Sequence, residues 1–354
     1  MDYDRLQSKM VDFLRFPLIV GVVFIHLLAT DFAKLGYCGQ YPIYYTITEL
    51  LACVFGRIAV PFFFLIGGYY FFYNARKTDL NFYYNKIKKR CRSQLLPFLI
   101  WSVLYMTLNM MIFEDGIIAS FSDVVQCVFG NTRIESFTAY PNPAFHLWFL
   151  RDLFVMALIS PLIYILVKYT KGWIILLLGL MYGLNKTIPI VGLYGLSSIA
   201  LFFFSIGVYI AINGKTIIEM ALRFKSFVYV CLPILIIVLL LVKPWIYSDV
   251  IERATTIVAL IFLFVIMPKF TKQGVGKSTW FLSSCSFMLY ALHAPYFTWV
   301  AIGLTEKYAI GNDILATMIY LFYAMIITIS SCLVYVLMRI ISPKFTAIIN
   351  CGRS

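Results

Sequence analysis

The chain is expected to be an all-α, polytopic transmembrane helical bundle of about ten helices, with both termini cytoplasmic. Three observations lead there. Apolar residues make up 62% of its 354 residues and charged residues only 13%, against about 25% charged in a soluble domain. The apolar residues come in runs of roughly twenty, the length that crosses a bilayer, and not in the short alternating segments of a barrel. The basic residues gather in short loops between those runs.

Ten apolar segments can be drawn, at about 11–31, 49–73, 95–113, 146–167, 173–185, 190–212, 226–242, 254–268, 281–304 and 313–341. The first carries Arg15 and His26 and ends in LLATDF without a small-residue cleavage site, so it reads as a retained helix. The fifth, sixth and eighth are short or interrupted by Gly and Pro. With the N-terminus inside, the inner loops hold 19 Lys and Arg and the outer loops six, which supports cytoplasmic ends. Four more cations, Arg15, Arg57, Arg151 and Arg339, lie within apolar segments. Arg339 sits near an inner helix end, from which it can snorkel. No internal repeat, linker or soluble domain interrupts the chain, so residues 1–354 read as one integral membrane domain.

The net charge of +13 is distributed as topology signals, and no nucleic-acid partner is expected. The eight cysteines show no CxxC spacing, and no metal is expected. Cys38 and Cys127 both fall in predicted outer loops, where a disulfide and two free thiols are equally open readings.

The three histidines all lie within or beside apolar runs, where a titratable side chain is costly and points to function. Arg15 and His26 are eleven residues apart. Eleven steps of ~100° return to nearly the same face, with a rise of about 16 Å. A cation at the inner mouth suits an anionic donor, and an imidazole higher on the same stripe suits removal of a hydroxyl proton. Asp12, one turn before Arg15, can orient it. A boundary arginine and a carbonyl-bonded histidine would account for the same residues.

The second segment contains RIAVPFFFLIGGYYFF, residues 57–72. Pro61 cannot donate to the helix ladder, and Gly67 and Gly68 permit close approach of a helix or ligand. Glu49, two turns before Arg57, can pair with it or with His26; a purely structural ion pair is the other reading. Lys86, Lys88, Lys89, Arg90 and Arg92 form the densest charge run. They suit cofactor phosphates, acidic lipid head groups or a plain topology anchor, and no GxxxxGK[ST] loop accompanies them. In PAFHLWFLRDLFV, residues 143–155, His146 is expected at the outer mouth. Arg151 and Asp152 point ~100° apart and need not pair. His293 is expected mid-helix, sharing a polar face with Ser286 and Tyr290 as tunnel lining or packing.

Taken in order, Arg15–x10–His26, RIAVPFFFLIGGY, KKRCRSQLLPF, HLWFLRDL and SFMLYALHAP resemble the acyltransferase-three family of integral membrane acyltransferases, over residues 12–295. Gly67 stands where that family commonly has Ser, and Gln94 where an Arg precedes the proline. The resemblance implies a bacterial-type O-acetyltransferase of the cell membrane. Its donor would be cytoplasmic acyl-CoA, usually acetyl-CoA, a substrate and not a resident cofactor. Its acceptor would be a hydroxyl of a surface polysaccharide or lipid-linked glycan.

On that reading His26 is the general base, and Arg15, Lys89, Arg90 and Arg92 hold the donor. Glu49, Arg57, His146, Arg151 and His293 are left for acceptor positioning or oxyanion support. Two rivals stand beside it. A secondary transporter would relay protons or bind an anion through the same His, Arg and Asp residues, but would favour internal repeats. A scaffold would leave Arg57 and Arg151 without a purpose.

Overall fold

The computed structural model describes residues 3–28, 39–75, 77–112, 124–125, 128–129, 144–184, 196–242, 248–271 and 277–352. Cys38 and Cys127 lie outside them. Among the described residues the regular structure is helical throughout. Five helices are long and apolar enough to cross a membrane, or seven if each of two bent pairs is one span. The chain is a multi-pass membrane protein.

α1 (Tyr3–His26) is a spine of the bundle, packed against the helices at Pro42–Phe72, Ser248–Thr271, Lys277–Leu292 and Asp313–Ile341. Leu6, Met10, Leu14, Leu18 and Val22 recur every fourth residue and are buried, the single face that such spacing produces. It does not qualify as a span by composition, because every eighteen-residue window of it contains Lys9, Asp12 and Arg15. Those charges stay near its first half.

α2 (Pro42–Phe72) begins seven residues earlier than the apolar run at 49 suggested. Its ladder is not uniform: Glu49–Phe55 is π-helical and Gly56–Ile58 is 3₁₀, upstream of Pro61. α3 (Leu80–Ile112) repeats the pattern, with a π turn at Cys91–Leu95 just before Pro97. A proline ring clashes with the carbonyl four residues earlier, and a wider turn upstream is one way to accommodate it.

The fourth predicted run is a bent pair, α4 (Phe145–Leu158) and α5 (Ser160–Tyr169), at 62°, with Pro161 at the start of the second. The fifth and sixth runs, short or interrupted in sequence, form short helices. α6 (Trp173–Gly183) has 11 residues and α7 (Ser198–Ile212) has 15. At 1.5 Å per residue these reach only about 16 and 22 Å, short of the ~30 Å hydrocarbon layer. Then follow α8 (Ile217–Leu222), α9 (Lys225–Val242), α10 (Ser248–Thr271), α11 (Lys277–Leu292), α12 (Tyr296–Tyr308), α13 (Asp313–Ile341) and α14 (Pro343–Ile349). The run predicted as one helix at 281–304 is also broken, with α11 and α12 at 70°.

Packing follows small residues. α2 and α7 form the closest helix pair. A Cβ added at Gly207 would lie 2.1 Å from the Leu65 carbonyl oxygen, and one at Gly68 2.2 Å from that of Phe204. α1 and α2 cross at Gly21 and Gly56, where an added Cβ would meet the opposing backbone at 2.9 and 2.5 Å. Without a hydrophobic drive between helices in lipid, such close backbone approach supplies the attraction. The outward faces of α9 and α13 are apolar, with Val230, Ile237, Leu241, Met318, Leu333 and Leu337 all more than half exposed, as a lipid-facing surface requires.

Replacing Gly207 with Leu should therefore lower the melting temperature of the detergent-solubilised protein sharply, by the ~1–3 kcal/mol or more that overpacking costs. Gly303→Ala, with nothing within 4 Å of the new Cβ, should leave it unchanged or slightly raised. Thermal melts of the two variants against the parent check this.

Candidate functional site

The three histidines, far apart in sequence, meet at the end of the bundle opposite the basic loops. His26 is the last residue of α1, His146 lies in the 3₁₀ turn that opens α4, and His293 sits in the break between α11 and α12. The His293 ring centre is 4.9 Å from that of His26 and 5.2 Å from that of His146. Phe145 closes on His26 at 5.6 Å. Two expectations are corrected here. His293 is not mid-helix. His146 is not at a surface mouth, since it is only 1% exposed and His293 is fully buried. His26 is the half-buried member.

A proline explains the arrangement. In an uninterrupted helix the carbonyl of Ala291 would accept from the N–H of residue 295, but that residue is Pro295 and has none. The freed oxygen accepts instead from His146 Nε2 at 3.0 Å and from the Tyr105 hydroxyl at 2.7 Å. Tyr290 donates its hydroxyl to the His146 carbonyl at 2.7 Å, and its own carbonyl accepts from His293 Nδ1 at 2.8 Å. A carbonyl can only accept, so these bonds put the proton of neutral His146 on Nε2 and that of neutral His293 on Nδ1. The other nitrogens, His146 Nδ1 and His293 Nε2, are buried without a hydrogen-bond partner. They are left as acceptors. The supposed Ser286–Tyr290–His293 stripe is thus not one network: Ser286 bonds the Ser283 carbonyl within its own helix. Among the described residues no group of three or more His, Cys, Asp or Glu has metal-holding geometry.

Arg57, one residue from the Gly21–Gly56 crossing, is close enough for its charge to act on the His26 imidazole. Its Nε lies 3.0 Å from Glu252 Oε1, and the arginine side chain remains 43% exposed. The anticipated partner, Glu49, is fully buried in the π-helical stretch, and its charge also acts on Arg57. The 3.0 Å ion pair is made across helices, by Glu252 of α10. Glu252 precedes the eighth apolar run and reads as loop in sequence, so nothing marked it beyond its neighbour Arg253. That arginine donates to the Tyr182 carbonyl and lies over the Tyr182 ring.

Arg151 has a different environment. Although adjacent, Arg151 and Asp152 do pair: Nε and Nη2 reach Asp152 Oδ1 at 3.0 and 2.9 Å, and Nη1 donates to the Phe129 carbonyl at 2.6 Å. The long arginine side chain folds back across the 100° offset. Asp152 also bonds Ser197, which caps α7 by accepting from the Ala200 N–H at 3.3 Å. Both side chains are nearly buried, at 8% and 1%. This pair ties α4 to α7 and to residue 129.

At the basic end Arg15 is held by Asp12 at 2.6 Å and is one-quarter exposed. Its charge acts on Tyr70 of α2, whose carbonyl accepts from Lys86 at 3.2 Å. Lys86 lies over the rings of Phe71 and Phe82. Lys89 and Arg92 are exposed and Arg90 is half-buried. Lys86, one helical turn from Arg90, thus ties the basic run to α2.

A family model described as an acyltransferase domain matches residues 9–336. The chain belongs to the acyltransferase-three family. The acyltransferase is also similar to a protein of Rhizobium meliloti (strain 1021) named succinoglycan biosynthesis protein ExoH, 27% identical over 302 residues, covering 82% of this chain and 79% of the relative. No solved structure matches.

Removing the carboxylate from the buried Arg151–Asp152 pair leaves a guanidinium in the interior. Asp152→Ala should destabilise the acyltransferase by about 3–5 kcal/mol, and the double variant Arg151→Leu/Asp152→Leu should recover part of that loss. Thermal unfolding in detergent, with the two variants side by side, measures it.

Proposed function

We propose that this acyltransferase moves an acetyl group from acetyl-CoA to a hydroxyl of a cell-surface polysaccharide or its lipid-linked precursor, in the cell membrane. The observation that carries the reading is the two-ended α1. Arg15 stands at its basic end and half-buried His26 at the other, about 16 Å along the same face, with a buried imidazole and a half-exposed arginine beside His26. The basic end, with Arg15, Lys89, Arg90 and Arg92, suits the phosphates of CoA entering from the cytoplasm. The extended pantetheine arm then carries the thioester toward His26. The name of the succinoglycan relative supports a polysaccharide acceptor.

In the step we infer, a neutral His26 takes the proton of the acceptor hydroxyl as its oxygen attacks the thioester carbonyl. Arg57 stabilises the oxyanion that develops on the carbonyl oxygen, held in place by Glu252. The tetrahedral species collapses, the carbon–sulfur bond breaks, and the CoA thiolate leaves with the proton that His26 had taken. His293, its ring centre 4.9 Å from that of His26, packs against the base and limits the positions its imidazole can take. His146 and Glu49 shape the pocket behind them, and Arg151 supports it through the α4–α7 tie.

His26→Ala should reduce acetyl transfer by about 10²–10⁴ without altering the elution profile in detergent. Acetyl-CoA consumption and mass spectrometry of the acceptor glycan are the measurements; parental activity in the variant would overturn the mechanism. Purified protein that consumes no acetyl-CoA with glycan present would instead favour a transporter. Arg15→Ala should raise the KM for acetyl-CoA, at least tenfold at low salt, with a smaller change in kcat, because it removes a donor contact and not the base.

A further inference from the structure

Away from the histidines, at the basic end, the start of α6 together with α7, α8 and α10 encloses an apolar cavity of about 400 Å³. That volume falls within the range of ligand pockets, ~300–1,000 Å³. Its walls are hydrocarbon and aromatic: Leu65, Ile206, Ile210, Ile257, Leu260 and Phe264. The wall of α10 from Ile257 to Phe264 spans two turns, about 10 Å, so the cavity runs from the basic end toward mid-bundle. No histidine or carboxylate lines it.

Its rim is open sideways. Trp173, Leu176 and Phe224 line the cavity and are 73%, 60% and 48% exposed, an apolar mouth of the chemistry that suits hydrocarbon. One charge stands at the rim, the exposed Lys171, and Arg223 and Lys225 flank Phe224 in sequence. Lys171 has φ +50 and Gly172 φ +91. A Cβ at Gly172 would lie 2.6 Å from the Tyr209 ring of the cavity wall. The turn is therefore pressed onto the cavity, and Lys171 takes the left-handed conformation that ends the preceding helix in a Schellman turn, with the Gly172 N–H donating to the Val167 carbonyl at 3.0 Å.

We propose that this cavity is a binding site for one acyl chain of an anionic phospholipid, whose phosphate pairs with Lys171. The lateral apolar mouth admits a chain from the bilayer. α6, with 11 residues, is too short to fill the bundle wall alone, and a lipid chain supplies the missing contacts that an empty space would forfeit. The cation at the rim selects a phosphate over a neutral head group. This site stands apart from the acyl-transfer reading and does not depend on it.

Native mass spectrometry of the delipidated, detergent-solubilised full chain tests the proposal. The probes are phosphatidylglycerol, diacylglycerol with the same chains, and undecaprenyl phosphate, added singly and in competition. The expected result is retention of one phosphatidylglycerol, at least tenfold weaker in Lys171→Glu and in the cavity-filling Ile206→Trp, with diacylglycerol not retained. Equal retention by both variants, equal retention of diacylglycerol, or displacement by undecaprenyl phosphate would each overturn it. Lys171 is exposed, so Lys171→Glu carries the test alone if Ile206→Trp does not fold.

Discussion

The carbonyl of Ala291 is the oxygen around which the histidine end is built. Pro295 denies it a helical donor, and a bare carbonyl inside a membrane protein must find another. It takes two, the imidazole of His146 and the hydroxyl of Tyr105. That single demand breaks the α11–α12 segment, brings the first turn of α4 against it, and leaves His293 in the gap beside His26. Without the proline the oxygen would be spent within its own helix, and neither the bend nor the anchor for His146 would have its cause.

A second constraint is backbone proximity. The Gly21–Gly56 crossing sets α1 against the 3₁₀ turn that carries Arg57, so the charge of the guanidinium reaches the His26 imidazole. The π-helical stretch just before it buries Glu49 while keeping Arg57 partly open. Wider helical turns are often found at functional sites, and here the two sit upstream of Pro61 and Pro97, one leading to the candidate site and the other to the basic end.

The two intramembrane arginines show how similar residues divide labour through burial. The Arg57 side chain stays partly exposed near a half-buried imidazole, with the Glu252 carboxylate steadying it. Arg151 is enclosed, with Asp152 and a carbonyl taking up its donors. A buried charge with its partner intact is compatible with folding, and breaking the pair is costly. This makes Arg151 a support of the fold, whereas Arg57 retains surface to offer a ligand.

Much of this was legible in the residues alone. The apolar runs and loop charges specified a helical membrane protein, the R-x10-H spacing put Arg15 and His26 on one face, and five ordered motifs pointed to the family. Helical period and composition are local properties, so sequence can carry them. What tertiary structure decided was non-local. The meeting of His26, His146 and His293, the pairing of Arg57 with Glu252, and the tie of the Arg151–Asp152 pair to residue 129 and Ser197 depend on which helices pack together and how closely. Glycine contacts and a proline-freed carbonyl set those approaches. Their partners lie from dozens to hundreds of residues away, where no periodicity can point.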